Sequence, residues 1–185
     1  ANVTQFMREK LNLELSDEKT LITHAQDSAK FLGYEVTIRN SNATKRDKNG
    51  VVKRMFNRKV VLLLPRDIVK KKLTAYNAVN IVQINGKEDW KPKARSYMVG
   101  YKPEDILAQV NTEIRGFYNY YSIANNVSTI CKRFGYIMEY SMYRTLAQKL
   151  NISVSKVKKK YSKEKNFIIS YKDDKGKNMC RILYN

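Results

Sequence analysis

The spacing of apolar residues changes once along this chain, close to Pro65: short alternating runs precede it, and long runs with steps of three and four follow. The first part opens on a helix-like stretch over Val3, Phe6, Met7, Lys10 and Leu11. Leu11, Leu13 and Leu15 then alternate with polar neighbours, as in a half-buried strand. A second strand is predicted through Phe31, Leu32, Tyr34, Val36 and Ile38, mainly β-forming residues. Asp47, Asn49 and Gly50 mark a turn. The next strand runs from Lys59 to Leu64, and Pro65 closes it while presetting the first turn of a helix.

Beyond Pro65 the pattern is helical. Val69, Leu73 and Tyr76 share one face, and Asn85-Gly86 breaks the period before a loop around Trp90 and Pro92. Pro103, with Glu104 and Asp105 in the first turn, opens a long helix whose core stripe is Ile106, Val110, Ile114, Phe117, Tyr121 and Ala124. Asn125 and Asn126 end it. A second long helix starts near Ser128, with Ile130, Phe134, Met138, Met142 and Leu146 on one side, and the two should pack antiparallel. Asn151 breaks the chain again. Ser153 can cap a short helix with Val154, Val157 and Tyr161 inward and Lys156, Lys158, Lys159 and Lys160 outward. Phe167 to Tyr171 and Met179 to Tyr184 read as a terminal hairpin across Asp173, Asp174, Lys175 and Gly176. The fold class is therefore α+β.

Charge narrows the function. The 185 residues carry 36 Lys and Arg against 17 Asp and Glu, a formal charge of +19, and self-repulsion on that scale calls for an anionic partner. Basic residues are interleaved with 13 Tyr, which can stack on bases or donate to phosphate. Nucleic acid is the leading partner. No apolar run approaches the roughly 18 to 20 residues that span a bilayer, and no amphipathic basic helix or signal peptide speaks for a membrane. Cys131 and Cys180 are far apart and, with the single His24, outline no zinc site; they read as reduced structural thiols in a reducing compartment.

Two blocks resemble one family. Arg115-Gly116-Phe117-Tyr118-Asn119-Tyr120-Tyr121-Ser122, followed by Tyr140-Ser141-Met142-Tyr143-Arg144-Thr145-Leu146-Ala147-Gln148-Lys149, is similar to the maturase domain, or domain X, of group II intron-encoded reverse transcriptases. Leu15-Ser16-Asp17-Glu18-Lys19-Thr20 and Phe31-Leu32-Gly33-Tyr34 resemble the end of the same family's reverse transcriptase domain. The family's usual Thr-Leu-Ala-x-Lys-His-Lys ends here in Leu150 and Asn151, so no role is carried to those two positions.

The resemblance implies a palm-sheet remnant over residues 1–64, then a thumb-like helical bundle with a short basic helix and a terminal β-hairpin over residues 65–185. It implies group II intron RNA, an RNA template with its DNA primer, target DNA and the remaining reverse transcriptase domain as partners, in a bacterial cytoplasm or an organelle. Gly33 and Tyr34 would form a primer grip, with Phe31 buried beneath. The family's catalytic Tyr-Ala-Asp-Asp, with the magnesium it holds in the parent polymerase, would lie upstream of Ala1, so this chain is expected to bind rather than polymerise. It is read as a fragment.

Candidate nucleic-acid contacts are Lys70, Lys71, Arg115, Tyr118, Asn119, Arg144, Lys149, Lys156, Lys158, Lys159 and Lys160, with no catalytic residue, metal ligand or cofactor assigned. Arg115, Tyr118 and Asn119 fall on one helical face. Tyr171-Lys172-Asp173-Asp174 copies a polymerase Tyr-x-Asp-Asp only superficially, because Lys175-Gly176-Lys177-Asn178 follows where an apolar strand belongs; it reads as a turn. Residues 144–161 also read as a helix-turn-helix. A DNA regulator should offer Arg, Asn or Gln to base edges, whereas this second helix offers Lys, which suits phosphates. The alternatives are such a regulator, a self-contained polymerase and a general RNA-binding module.

Overall fold

The computed structural model describes residues 3–16, 22–54 and 58–184, which form two compact units. The first comprises Ala1–Phe31 and Glu35–Val61, and the second Leu32–Tyr34 and Leu62–Asn185. Mixed α+β structure holds throughout: five α-helices and small antiparallel sheets among the described residues.

In the first unit, helix α1 (Val3–Leu11) buries no residue and stops where Asn12 turns left-handed. The strand expected through Leu11, Leu13 and Leu15 does not form. Leu11 is the last residue of α1, and Leu13 and Leu15 are irregular and pair with no strand among the described residues. Alternation over three leucines is too little to specify a strand without a partner. Part of the Leu15–Thr20 block lies outside the described residues.

The strand expected through Phe31 to Ile38 is in fact a hairpin, β1 (Ala29–Phe31) and β2 (Tyr34–Ile38), joined by Leu32 and Gly33 at φ 48° and 80°. Two successive positive φ values are what a tight hairpin turn demands, and Gly33 supplies one without strain. Strands β3 (Thr44–Arg46) and β4 (Val52–Arg54) make a basic hairpin closed by Asp47, whose Oδ1 accepts the N–H of Asn49 and Val51. Lys53 at 2.8 Å, helped by those N–H groups, holds the Asp47 carboxyl below the usual range. Strand β5 (Val60–Leu63) completes a sheet of order β1-β2-β5.

The second unit is built on helices. Pro65 precedes α2 (Arg66–Ala75), which buries Val69 and Leu73. The expected loop around Trp90 is instead a hairpin of two six-residue strands, β6 (Val79–Ile84) on β7 (Lys87–Pro92), turning at Asn85 and Gly86, both at positive φ. Asn-Gly between alternating apolar residues is the strongest short hairpin signal, and here it outweighs the helical period upstream.

After a 3-10 turn at Ser96–Met98 come α3 (Pro103–Tyr121) and α4 (Val127–Leu150). Their interface is aromatic, with Phe117 and Phe134 stacked at 4.0 Å between centroids. Asn125 and Asn126 do more than interrupt: their side-chain amides accept from the N–H of Leu62 and Leu64. Asn151, at φ 51°, ends α4, and the Ser153 hydroxyl caps α5 (Val154–Tyr161) by accepting from Lys156 N. A sheet of order β10-β9-β8 closes the chain, with β8 (Ser162–Lys163), β9 (Asn166–Lys172) and β10 (Asn178–Ile182).

The core holds an ion pair that the apolar pattern does not announce. Arg95 is fully buried, pairs with Glu113 of α3 at 2.6 Å and touches the sulfur atoms of Met98 and Met138. Its backbone N–H donates to Thr145 of α4. Arg95→Met alone should destabilise the chain by about 3–5 kcal/mol, because Glu113 is left buried without its cation, and Arg95→Met with Glu113→Leu should recover most of that loss. Urea unfolding of the three proteins measures it; a single-variant cost below about 1 kcal/mol would show that the pair is not needed.

Candidate nucleic-acid interface

Helix α3 divides its surface by residue. Thr112, Arg115, Gly116 and Asn119 recur at steps of three and four and are exposed, forming a stripe away from the core. Gly116 leaves this stripe low, since a Cβ there would meet nothing within 4 Å. Arg115 stacks on the Tyr184 ring at 5.3 Å. Tyr118, expected on the same face, turns instead toward α4 and lines a groove of about 630 Å³ with Phe134, Tyr136 and Tyr184. A second hollow, about 450 Å³, lies on the other side of the helix between Gly116, Tyr120, Lys72 and the Leu32–Gly33 turn.

That turn reverses the burial expected of the primer-grip residues. Tyr34 is buried, and its hydroxyl donates to the Tyr120 carbonyl. Desolvation, then the Tyr120 hydroxyl nearby, raise the Tyr34 phenol pKa. Gly33 does not stand open to a backbone either, because a Cβ there would sit 3.2 Å from the Tyr121 hydroxyl. Phe31, expected beneath, is 62% exposed and Leu32 68%. Reading the hairpin as one continuous strand puts Phe31 inward and Tyr34 outward, and the exposures are the other way round. Leu32, whose carbonyl accepts from the Tyr120 hydroxyl at 3.2 Å, is the residue the turn presents.

Several candidate cations are already engaged within the chain. Lys70 pairs with Glu88, which also accepts from Trp90 Nε1, and these donors lower the Glu88 carboxyl pKa. Lys149 donates to the Val99 carbonyl at 2.9 Å. Lys158, expected outward, folds back onto α4: its Nζ donates to the Tyr140 hydroxyl at 2.7 Å and lies over the Tyr140 and Tyr143 rings. The Tyr143 hydroxyl in turn donates to Glu139, and burial followed by that bond pushes its pKa far up. Lysine stems pack well on aromatic surface, which is why helical position alone misplaced this one. Lys71, Arg144, Lys156, Lys159 and Lys160 are exposed.

Asp173 and Asp174 hold no metal geometry. Asp173 Oδ1 accepts the N–H of Lys175 and Lys177 in the β9–β10 turn, and no group of three His, Cys, Asp or Glu among the described residues could bind an ion. No helix among them is long and apolar enough to cross a membrane.

The description of the type II intron maturase family matches residues 57–182, well over half of the chain. The chain belongs to the type II intron maturase family. It is 38% identical over 152 residues to the group II intron-encoded protein LtrA of Lactococcus lactis subsp. cremoris, covering 82% of this chain and 24% of that protein. Over 165 residues it is 30% identical to the putative COX1/OXI3 intron 1 protein of Saccharomyces cerevisiae, covering 85% of this chain and 19% of that one. It thus spans a quarter or less of the curated relatives it matches.

Two features of this maturase surface escaped the sequence. Asn111 fixes the C-terminal segment on α3: its side chain donates to the Ile182 carbonyl and accepts from Tyr184 N, both at 2.8 Å. Trp90 is held between Arg66 and Arg133, 4.9 and 4.7 Å from its ring. A single Asn and two distant Arg carry no periodic signal. Tyr34→Phe, which removes only the inward hydroxyl, should cost about 0.5–1.5 kcal/mol of stability. Affinity for primed duplex should not change; a fall in affinity at unchanged melting temperature would put that hydroxyl at the interface instead.

Proposed function

We propose that this chain is the RNA-binding thumb and maturase segment of a group II intron-encoded reverse transcriptase. It binds intron RNA and the template–primer duplex, and so supports splicing and intron mobility. In this reading residues 1–64 are the end of the palm and residues 65–185 the thumb with domain X. The rest of the reverse transcriptase and target DNA are further partners, and the parent's magnesium belongs to the polymerase residues.

The observation that carries the proposal is the low, exposed stripe of α3. Arg115 and Asn119 offer guanidinium and amide donors around Gly116, where no side chain blocks approach, and Thr112, whose hydroxyl donates to the Ala108 carbonyl, adds an acceptor. Polar donors on a bulk-free helix suit the wide, shallow minor groove of an A-form duplex, where 2′-hydroxyls and phosphates are the accessible partners. The Leu32 turn beside it carries a non-glycine residue at φ 48°, strain of about 1–3 kcal/mol that tends to gather at functional sites. Lys156, Lys159 and Lys160 on α5 add a basic face without the Arg, Asn or Gln that base-edge reading would use.

Binding should therefore be backbone-directed and salt-dependent. Replacing Lys156, Lys159 and Lys160 by Ala should flatten the plot of log affinity for intron RNA against log salt by about 2 to 3. Lys158→Ala should lower the melting temperature, because its contacts are internal. An unchanged slope in the triple variant would remove α5 from the interface, and a marked preference for one DNA duplex over its scramble would favour the helix-turn-helix regulator. Gly116→Leu tests the stripe itself: affinity for primed duplex should fall about tenfold, roughly 1.4 kcal/mol, while helix propensity gains about 0.5–1 kcal/mol. Unchanged duplex affinity in that variant would count against the minor-groove assignment.

A further inference from the structure

Each long helix of the second unit carries one interior glycine, and Gly135 in α4 has no internal reason to be there. It sits within helical backbone where Ala would be more favourable, and a Cβ built on it meets nothing within 4 Å. The space it leaves belongs to the 630 Å³ groove between α3 and α4, within the size range of small-molecule sites, about 300–1,000 Å³. Phe117, Phe134 and Leu183 form its apolar floor, and Tyr118, Tyr136 and Tyr184 line it further. Tyr118 and Tyr136 are 40% and 52% exposed, so aromatic faces are presented to whatever enters.

Resting on the RNA-binding reading above, we propose that this groove receives one unpaired nucleobase of the bound RNA, stacked on its tyrosines, with flanking phosphates met by Lys132 and Arg115. Lys132 lines the groove and Arg115 is stacked on Tyr184, so cations stand where a polyanion would pass. Sequence-tolerant recognition of splayed bases uses this combination of stacking aromatics and basic flanks. Glu139 decides against other occupants. Its carboxylate also lines the groove, fixed by the Tyr143 hydroxyl, and it can accept from the N–H groups of a base edge. A fatty-acid carboxylate would be repelled, and a purely apolar side chain would cover the charge while adding no donor beyond the Tyr143 hydroxyl. Asn111 completes the site by pinning the segment that brings Leu183 and Tyr184 into it.

The probe is an RNA hairpin with a single bulged 2-aminopurine, compared with a fully paired hairpin of the same length, titrated into the 185-residue chain. The wild type should bind the bulged hairpin about tenfold more tightly and quench the 2-aminopurine, as stacking predicts. Gly135→Leu, which fills the groove without strain in a helix, should reduce that affinity to the paired-hairpin level while leaving paired-hairpin affinity unchanged and raising the melting temperature, as helix propensity predicts. Tyr136→Ala should weaken the preference and Tyr136→Phe restore it. Equal affinity of the wild type for the two hairpins, without quenching, would overturn the base-binding proposal and assign the groove to a protein side chain. Failure to bind either hairpin at low salt would overturn the RNA-binding reading and the pocket with it.

Discussion

Arg95 carries a charge into the interior of the second unit, and the elements around it are arranged to make that tolerable. An ion of this kind costs several kcal/mol to desolvate, so its partners must be held in place: Glu113 from α3, Met138 and Thr145 from α4, Met98 from the preceding turn. Only Nε lacks a partner among the described residues. Apolar packing tolerates sliding, whereas a buried pair permits one register. With Glu113 set, Arg115, Gly116 and Asn119, two to six residues on, must face outward, and with Thr145 set, Gly135 and Tyr136 open toward the groove. The outer surface inherits its geometry from an inner charge.

Net charge alone would have drawn a different interface. Among the described residues ion pairs form through Lys53, Lys70, Lys91 and Arg95. Aromatic rings hold others: Arg66 and Arg133 on Trp90, Arg115 on Tyr184, Lys158 on Tyr140 and Tyr143. A cation over a ring is held in place yet keeps its charge, so Arg115 can organise the α3 face and still meet a phosphate. Lys158, by contrast, also donates to the Tyr140 hydroxyl and is the least available of the α5 lysines.

What the sequence disclosed follows the strength of each local signal. Helices α3 and α4 were legible because burial at Ile106, Val110, Phe117 and Phe134, Met138, Met142, Leu146 repeats over many turns, and Asn151 and Ser153 supplied stop and start. The Phe31–Ile38 and Val79–Pro92 hairpins were not, since two-residue turns hide inside an apolar run or beside a helical one; only the φ values of Leu32, Gly33, Asn85 and Gly86 expose them. The burial of Tyr34 and the exposure of Phe31 were missed with that first turn. Periodicity could not place the ends of long side chains: Lys149 and Lys158 found partners within the chain, several ångströms from their backbone positions.

Gly116 and Gly135 connect stability to function most directly. A glycine inside a helix costs roughly 1 kcal/mol against Ala, and in an ordinary bundle that cost is met by close helix packing. Neither residue serves that purpose here, because a Cβ at either would touch nothing. Two helices of 19 and 24 residues thus each forgo stability at one point that opens a hollow, on opposite sides of the aromatic seam formed by Phe117 and Phe134. Selection for folding alone would fill both positions. The empty positions, with tyrosines and cations gathered at each, fit the proposed approach of a polyanion close to the helix backbone.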